Sequence, residues 1–399
     1  MSQNSQNLPN KILLVDDDPS IAQGLDEALG RYNIKIDKAT SLETALYLFN
    51  TNRYDVALIE IEFAPLAGLA LVQKWRDHDI VDKRSCAFIM LSGNKSLGNN
   101  EGLVKELGDL EVLNKPCSAI QVLPFLSRGM ATRKRMASFV ELKSRVINYF
   151  EKTGDFAKAA ELVQKKLPEI GAKGLPLLYD LYEKADKKEE ALGLVGPMLE
   201  RDPSNIMLLN AKGRLLMQLG RFEEAKVALA KADSFAPQNI ERLNNLVGAY
   251  LELKEPDAAI IKMKELIKLN PEHPDEKFGM FAKLFDHGFD SHAVNFGKEA
   301  AKPMEIVRHY NNKGVMMSKD GEAAEALGEY KRALSFYPQF KENYRIYYNV
   351  ALAQIAHKTR ESYVEAQKNL KKCLELSPEF EKAKTILDQI ERSLSKKAS

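Results

Sequence analysis

Side chains able to carry ionic chemistry stand directly after the apolar runs of about the first 125 residues: Asp16, Asp17, Glu60, Ser92 and Lys115. Two of these positions form an acidic pair, and the others add a third carboxylate, a hydroxyl and an ammonium group. Carboxylates that lie close together repel one another unless a divalent cation or a lysine compensates their charge. The set therefore predicts one charged site, provided that the fold brings these positions together.

The elements that must position these residues follow from the alternation of the sequence. Short apolar runs predict strands over Lys11–Val15, Ile34–Ala39, Val56–Ile59, Ala87–Leu91 and Glu111–Leu113. Amphipathic segments predict helices over Ser20–Tyr32, Ser41–Asn50, Gly68–His78 and Ser118–Ser127. Strands that alternate with helices form βαβ units around a parallel sheet covered on both faces. Ligand chemistry in such a sheet lies at the carboxyl ends of the strands, where the polar residues would meet.

Residues 10–128 resemble the receiver domain of two-component response regulators. The shared motifs are VDDD at 15–18, YDVALIE at 54–60, Pro65, Gly68, IMLSG at 89–93 and NKP at 114–116. The resemblance implies an α/β, flavodoxin-like fold with a five-stranded parallel sheet in the order 2-1-3-4-5. It also implies a third-strand aspartate that accepts a phosphoryl group from a histidine kinase. In that family the acidic pair binds Mg²⁺, the hydroxyl contacts the phosphoryl group and the lysine pairs with it, and Asp16, Asp17, Ser92 and Lys115 match these positions.

The third strand departs from the family pattern. Glu60 occupies the acceptor position, because Gly68 follows it by eight residues as the family's glycine follows the aspartate. The longer side chain would place its carboxylate near Ser92 and Lys115, where a phosphoryl group would lie. Two interpretations follow: a receiver locked by its own glutamate, or an inert remnant with a solvated acidic rim. Both predict no efficient phosphorylation, with Mg²⁺ at Asp16 and Asp17 weakly bound if at all and no cofactor required.

The second part of the sequence is built from repeats. Pro203, Pro237 and Pro271 are 34 residues apart, and an alanine stands twelve residues before each of them. The same alanine recurs further along the chain, at Ala293, Ala326 and Ala366. The period and layout resemble the tetratricopeptide repeat (TPR), a helix–turn–helix unit in which small residues let two helices cross closely. We expect three segments: a receiver-like domain over 1–128, a basic helical linker over 129–137, and an all-α array of about seven repeats over 138–399.

Such arrays stack into a superhelix whose concave face is lined by the first helix of each repeat. The positions that usually face this groove include Asn210, Arg214, Asn244, Arg308 and Asn311. Amide and guanidinium groups at these positions could bind the backbone of an extended peptide. The alternative is an ordinary solvated helix surface. No segment of the chain is expected to fill the groove.

The composition and the absence of known motifs in the sequence exclude several classes of function. Lys and Arg total 58 against 56 for Asp and Glu, a balance that argues against a nucleic-acid partner. No apolar run is long enough to cross a membrane, and no signal peptide is evident at the amino terminus. Three scattered cysteines fit a reducing cytoplasm. No nucleotide-binding or hydrolase motif occurs in the sequence.

The sequence therefore predicts a non-enzymatic bacterial signalling adaptor of the phosphorelay type. Protein partners would bind the repeat groove. A histidine kinase, another receiver or a second copy of the chain would dock on the receiver through residues 98–127, the usual contact face of the family. The alternative is a working response regulator whose phosphorylation controls partner binding by the repeats.

Overall fold

The computed structural model describes residues 8–63, 67–78, 81–93, 97–170, 174–269 and 274–396. Pro65 of the receiver motif and Pro271 of the repeat pattern lie outside these residues. No helix among the described residues combines the length and apolar character that a membrane span requires.

The first part of the chain folds around a five-stranded parallel sheet in the order β2-β1-β3-β4-β5. Its strands are β1 (Lys11–Val15), β2 (Lys35–Ala39), β3 (Val56–Glu60), β4 (Ala87–Ser92) and β5 (Leu110–Asn114). The strands β3 and β4 are buried along their whole length because helices cover both faces of the sheet. The predicted fold class of this part is confirmed.

Strand register brings the expected site residues to one edge of the sheet. Glu60 pairs with Leu91, which places Ser92 one residue beyond it on the neighbouring strand. Ser92 in turn pairs with Asn114, the residue before Lys115. The carboxyl ends of β1, β3, β4 and β5 therefore meet at the same edge.

Among the described residues of the receiver, the helices before α6 are α1 (Pro19–Gly30), α2 (Leu42–Thr51), α3 (Gly68–Arg76), α4 (Val81–Arg84) and α5 (Glu101–Leu107). Local side chains set where the first two begin. Asp18 accepts a hydrogen bond from the Ser20 amide, and Ser41 accepts one from the Thr44 amide. On α3, Trp75 stacks on Phe49 with ring centroids 4.0 Å apart.

A single helix, α6 (Ala119–Thr153), leads from the receiver into the repeats. The expected end at Ser127 is too early, because Gly129 packs closely on Val56 without ending the helix and an apolar face continues through Met136, Val140 and Val146. Gly154 ends the helix in the left-handed conformation, with a φ of 67°. The predicted basic linker therefore lies inside a continuous helix.

Several cations of α6 are neutralised by the chain's own carboxylates. The ion pairs join Arg128 to Glu111 (2.5 Å), Arg133 to Asp55 (2.8 Å), Arg135 to Asp109 (3.5 Å) and Lys143 to Asp180 (2.7 Å). Three of these carboxylates belong to the receiver, so the ion pairs hold the first part of α6 against that domain.

Antiparallel helices continue from α6 through the repeats. They are α7 (Phe156–Ile170), α8 (Gly174–Lys184), α9 (Lys188–Arg201), α10 (Ile206–Gln218), α11 (Phe222–Phe235), α12 (Ile240–Glu252) and α13 (Pro256–Leu269). The later helices are α14 (Pro274–Asp286), α15 (Asp290–Ala300), α16 (Pro303–Lys319), α17 (Ala323–Phe336), α18 (Tyr344–Ile355), α19 (Arg360–Leu376) and α20 (Glu381–Lys396). The recurrent alanines are all fully buried: Ala191, Ala225, Ala259, Ala293, Ala326 and Ala366. A larger side chain there would separate the paired helices, which explains the period in the sequence.

The chain divides between Glu272 and His273 into two compact units. The first contains the receiver together with α6–α13, and the second contains α14–α20. The domain boundaries predicted at residues 128 and 137 instead fall within α6. They remain a prediction about independent folding.

Candidate functional site

Three of the expected pocket residues form a charged cluster at the edge of the sheet. Asp16 follows β1, Glu60 ends β3 and Lys115 follows β5. The Lys115 ammonium lies 3.1 Å from Asp16 Oδ2 and also contacts the Glu60 carboxylate. Only 3% of Asp16 and 5% of Glu60 are exposed, so the cluster is shielded from water.

The charges of this cluster do not cancel. Two carboxylates share one lysine, which leaves one negative charge in excess when all three groups ionise. Burial raises the pKa of Glu60 above its ordinary value, although the hydrogen bond from Lys115 opposes this effect. Burial would lower the pKa of Lys115, but its hydrogen bonds to Glu60 and Asp16 outweigh this and raise the pKa. The raised pKa of Lys115 keeps this lysine charged, and the raised pKa of Glu60 favours its protonated form.

The two remaining pocket residues predicted from the sequence, Ser92 and Asp17, differ in burial. Ser92 is buried at the end of β4, and its carbonyl oxygen accepts a hydrogen bond of 2.8 Å from the Lys115 amide. Asp17 is exposed. Asp16, by contrast, points into the cluster and also accepts a hydrogen bond of 2.9 Å from the Asp18 amide. The acidic pair is thus split between the buried cluster and the surface.

Gly68 packs against the strand that carries the acceptor position. A Cβ atom at residue 68 would overlap the carbonyl oxygen of Glu60 and the side chain of Ile59. The Gly68 amide also donates a hydrogen bond of 2.9 Å to the carbonyl oxygen of Ile61. The eight-residue spacing from Glu60 therefore reflects a close backbone approach that only glycine permits.

The geometry does not fit a divalent cation. Mg²⁺ takes oxygen ligands in near-octahedral geometry. Here the oxygens of Asp16 and Glu60 already contact the Lys115 ammonium, and Asp17 is exposed. Across the described ranges, no group of three or more acidic, histidine or cysteine side chains is arranged to hold a metal ion. The Lys115 ammonium is instead the positive group that both buried carboxylates contact.

Two of the expected groove residues, Asn210 and Arg214, are already engaged by the chain itself. The Asn210 amide donates a hydrogen bond of 2.5 Å to Glu106, which lies on α5 of the receiver. Arg214 pairs with Asp180 at 2.9 Å, with Glu183 at 3.4 Å and with Glu241 at 3.6 Å. The expectation that no segment of the chain fills the groove is therefore wrong at Asn210, because α5 packs there.

The other groove residues differ in their surroundings. Asn244 is exposed and bonds to its own helix, donating to the carbonyl oxygen of Ile240 at 3.0 Å. In the second unit, Arg308 is exposed on α16. Asn311, on the same helix, accepts a hydrogen bond of 2.8 Å from Asn349. Asn244 and Arg308 thus remain accessible to a partner.

The sequence did not identify Glu106, Asn239 and Arg242 as site residues, although the repeats held a signal for two of them. Arg242 stands 34 residues after Leu208, a buried core position, so a charged side chain replaces an apolar one there. Asn239 stands 34 residues after Asn205, and both residues cap the helices that follow them. Nothing in the sequence marks Glu106, because its role depends on the packing of α5 against the repeats.

Comparisons with known proteins agree with the two parts of the fold. Residues 12–125 match the response regulator receiver domain family, and residues 179–296 match the coatomer epsilon subunit family. Regulatory protein VanR of Enterococcus faecium is 26% identical over 141 residues, which are 35% of this chain and 58% of that protein. Coatomer subunit epsilon of Dictyostelium discoideum is 29% identical over 140 residues, which are 34% of this chain and 47% of that protein. The chain spans about half the length of these curated relatives.

A tetratricopeptide repeat protein of Parabacteroides merdae is similar over 63% of this chain and 98% of its own length, with 17% identity and a TM-score of 0.33. Residues 12–125 match the receiver domain family and have its five-stranded parallel sheet, and the described residues after α6 form successive helices as the repeat pattern predicts. Both predicted resemblances are confirmed. The likeness to the coatomer subunit lies within the array and was not predicted from the motifs.

Proposed function

We propose that this chain is a cytoplasmic, non-enzymatic signalling adaptor in which a receiver domain that does not accept phosphate is joined to protein-binding repeats. The observation that carries the proposal is the buried contact of Glu60 with Lys115. This contact places a permanent carboxylate beside the lysine that would otherwise pair with a phosphoryl group. A state of the receiver that other regulators reach through phosphorylation would then be fixed by the side chain itself.

The repeats supply the output in this proposal. Repeat arrays bind partners through side chains along their first helices. The exposed Asn244 and Arg308 on α12 and α16 support a protein partner in each compact unit. A histidine kinase, another receiver or a second copy of the chain would bind the receiver. No cofactor is needed for either contact.

Incubation of the full chain with acetyl phosphate and Mg²⁺ tests the pocket directly. We expect no acid-labile phosphate and no mass increase, because the acceptor position lacks an aspartate and Lys115 is already paired. A phosphorylatable receiver serves as the positive control for the donor. Glu60→Asp, which shortens the side chain by one methylene, shows whether the rest of the pocket still supports transfer. A stoichiometric mass increase of the wild type that Glu60→Gln abolishes would show instead a working response regulator.

A further inference from the structure

The receiver helix α5 presents one carboxylate to a polar pocket of the repeats. Glu106 Oε1 accepts hydrogen bonds from Asn210 (2.5 Å), Asn239 (2.9 Å) and the Arg242 guanidinium (2.9 Å). Its second oxygen accepts one of 3.2 Å from the same guanidinium. The Arg242 side chain is 0% exposed and that of Glu106 is 6% exposed, so the pair lies out of water.

The repeats position this pocket with their own groups. Arg242 donates to the carbonyl oxygen of Ala236 and, at 2.9 Å, to Asn210 Oδ1. Asn239 is held in place as the cap of α12. Two amide groups and a guanidinium therefore converge on one point, and only the bound carboxylate comes from the receiver. Convergent donors of this kind are suited to a carboxylate ligand.

The charged residues around Arg242 leave one carboxylate as its close partner. Asp233 lies 3.4 Å from Arg242 but is shared with Lys262, which is closer to it at 2.8 Å. Lys262 also pairs with Glu265 at 3.0 Å. Glu106 is therefore the nearer carboxylate partner of the buried guanidinium, and a buried guanidinium is costly without such a partner.

The receiver side of the contact is small and resembles a docked helical peptide. A Cβ atom at Gly102, one turn before Glu106, would overlap the carbonyl oxygen of Phe235, so α5 packs directly on the repeat backbone. Gln73 on α3 adds two hydrogen bonds, donating to the carbonyl oxygen of Gln238 at 3.1 Å and accepting from the Ile240 amide at 2.8 Å. The helix α5 lies within residues 98–127, the face through which the sequence predicts docking of partners.

We propose that Asn210, Asn239 and Arg242 form a carboxylate-recognition site of the repeats, which Glu106 of α5 fills within the chain and which an acidic helical segment of a partner fills once α5 is displaced. The inference rests on the proposed function in one respect, that the repeats bind proteins. It adds that the ligand is a carboxylate and that α5 and the partner compete for the same site. The receiver and the partner cannot occupy the site at the same time.

The test uses a labelled peptide of residues 97–109, LGNNEGLVKELGD, and the full-length chain. Two variants release the site by different routes: Glu106→Gln removes the charge of the internal ligand, and Gly102→Leu blocks the close approach of α5. Hydrogen exchange of α5 verifies its release, and circular dichroism verifies the helical content. Fluorescence anisotropy then measures peptide binding.

We expect both release variants to bind the peptide about tenfold or more tightly than the wild type does, because α5 no longer competes. Adding Arg242→Met to either variant should remove the gain. A control peptide with Glu106→Gln should bind the Gly102→Leu chain about tenfold or more weakly than the parent peptide, since it lacks the carboxylate that the guanidinium pairs with.

Equal peptide affinities of the wild type and both release variants would overturn the site. Equal binding of the acidic and control peptides would do the same. A protein that binds the repeats of the wild type and of Arg242→Met alike would overturn this inference while the adaptor function stands. Phosphoryl transfer to the wild-type receiver would overturn the proposed function alone.

Discussion

Glu60 and Asp16 share one lysine at the edge of the sheet, and this shared charge determines how the pocket responds to pH. Burial raises the pKa of Glu60, so the folded protein holds a proton there at a pH at which the unfolded chain has already lost it. A raised carboxyl pKa contributes stability at low pH, and this contribution is lost as pH rises through the folded pKa. Asp16 and Lys115 are the charged groups that face Glu60.

We therefore expect the stability of the wild type to decline relative to Glu60→Gln as pH rises from about 4.5 toward neutrality, because the glutamine does not titrate. Urea unfolding of both proteins across this range measures the difference in unfolding free energy. Glu27→Gln is the matched control, since Glu27 is exposed on α1. A difference between wild type and Glu60→Gln that is constant with pH would contradict the raised pKa.

At the scale of elements, the pair Glu106–Arg242 fixes α5 against α12, and its energetics follow from its burial. Removing one partner leaves a buried charge without compensation, which costs about 3–5 kcal/mol. Replacing both by apolar residues of similar volume removes that penalty. The raised pKa of Glu106, caused by burial and opposed by Arg242, agrees with a carboxylate that depends on its partner.

We expect Arg242→Met to lower the unfolding free energy by about 3–5 kcal/mol, and Glu106→Leu combined with Arg242→Met to lower it by much less than the sum of these two single changes. Denaturant unfolding of the single and double variants provides the double-mutant cycle. The control is Lys105–Glu101 on the same helix, an exposed pair at 2.7 Å, whose removal should change the unfolding free energy far less because water screens it. Additive effects of the Glu106 and Arg242 changes would contradict the coupling.

Among the elements, the sequence predicts the bounds of β1 and the repeat period, but not the packing between distant segments. The strand β1 has the predicted bounds, because a buried apolar run flanked by polar residues permits few registers. The repeat alanines are equally predictable, since close helix crossing selects small residues at a fixed period. The length of α6 and the packing of α5 on the repeats are not predictable from the sequence, because both depend on contacts between segments far apart in the chain. Glu106 is a surface-type residue until that packing forms.

At the scale of the molecule, the first compact unit joins the receiver domain to the helices α6–α13. The receiver contacts the repeats of this unit through α5, through Gln73 and through the ion pairs of α6. A change that weakens the packing of α5 should therefore lower the stability of the receiver and also alter the groove. The only tryptophan of the chain, Trp75, lies 1% exposed in the receiver and reports on that domain alone.

We expect Trp75 fluorescence to change at a lower urea concentration in Arg242→Ala than in the wild type, although the substitution lies in the repeats. The reason is that the buried carboxylate left on α5 destabilises the packing of the receiver on α12. Far-ultraviolet circular dichroism reports mainly on the repeat helices. In Arg242→Ala its transition should lie at a higher urea concentration than the Trp75 fluorescence transition. Arg221→Ala is the matched control, because Arg221 pairs with Glu224 on the repeat surface away from Glu106. A Trp75 transition that is identical in Arg242→Ala and the wild type would mean that the receiver folds without support from the repeats.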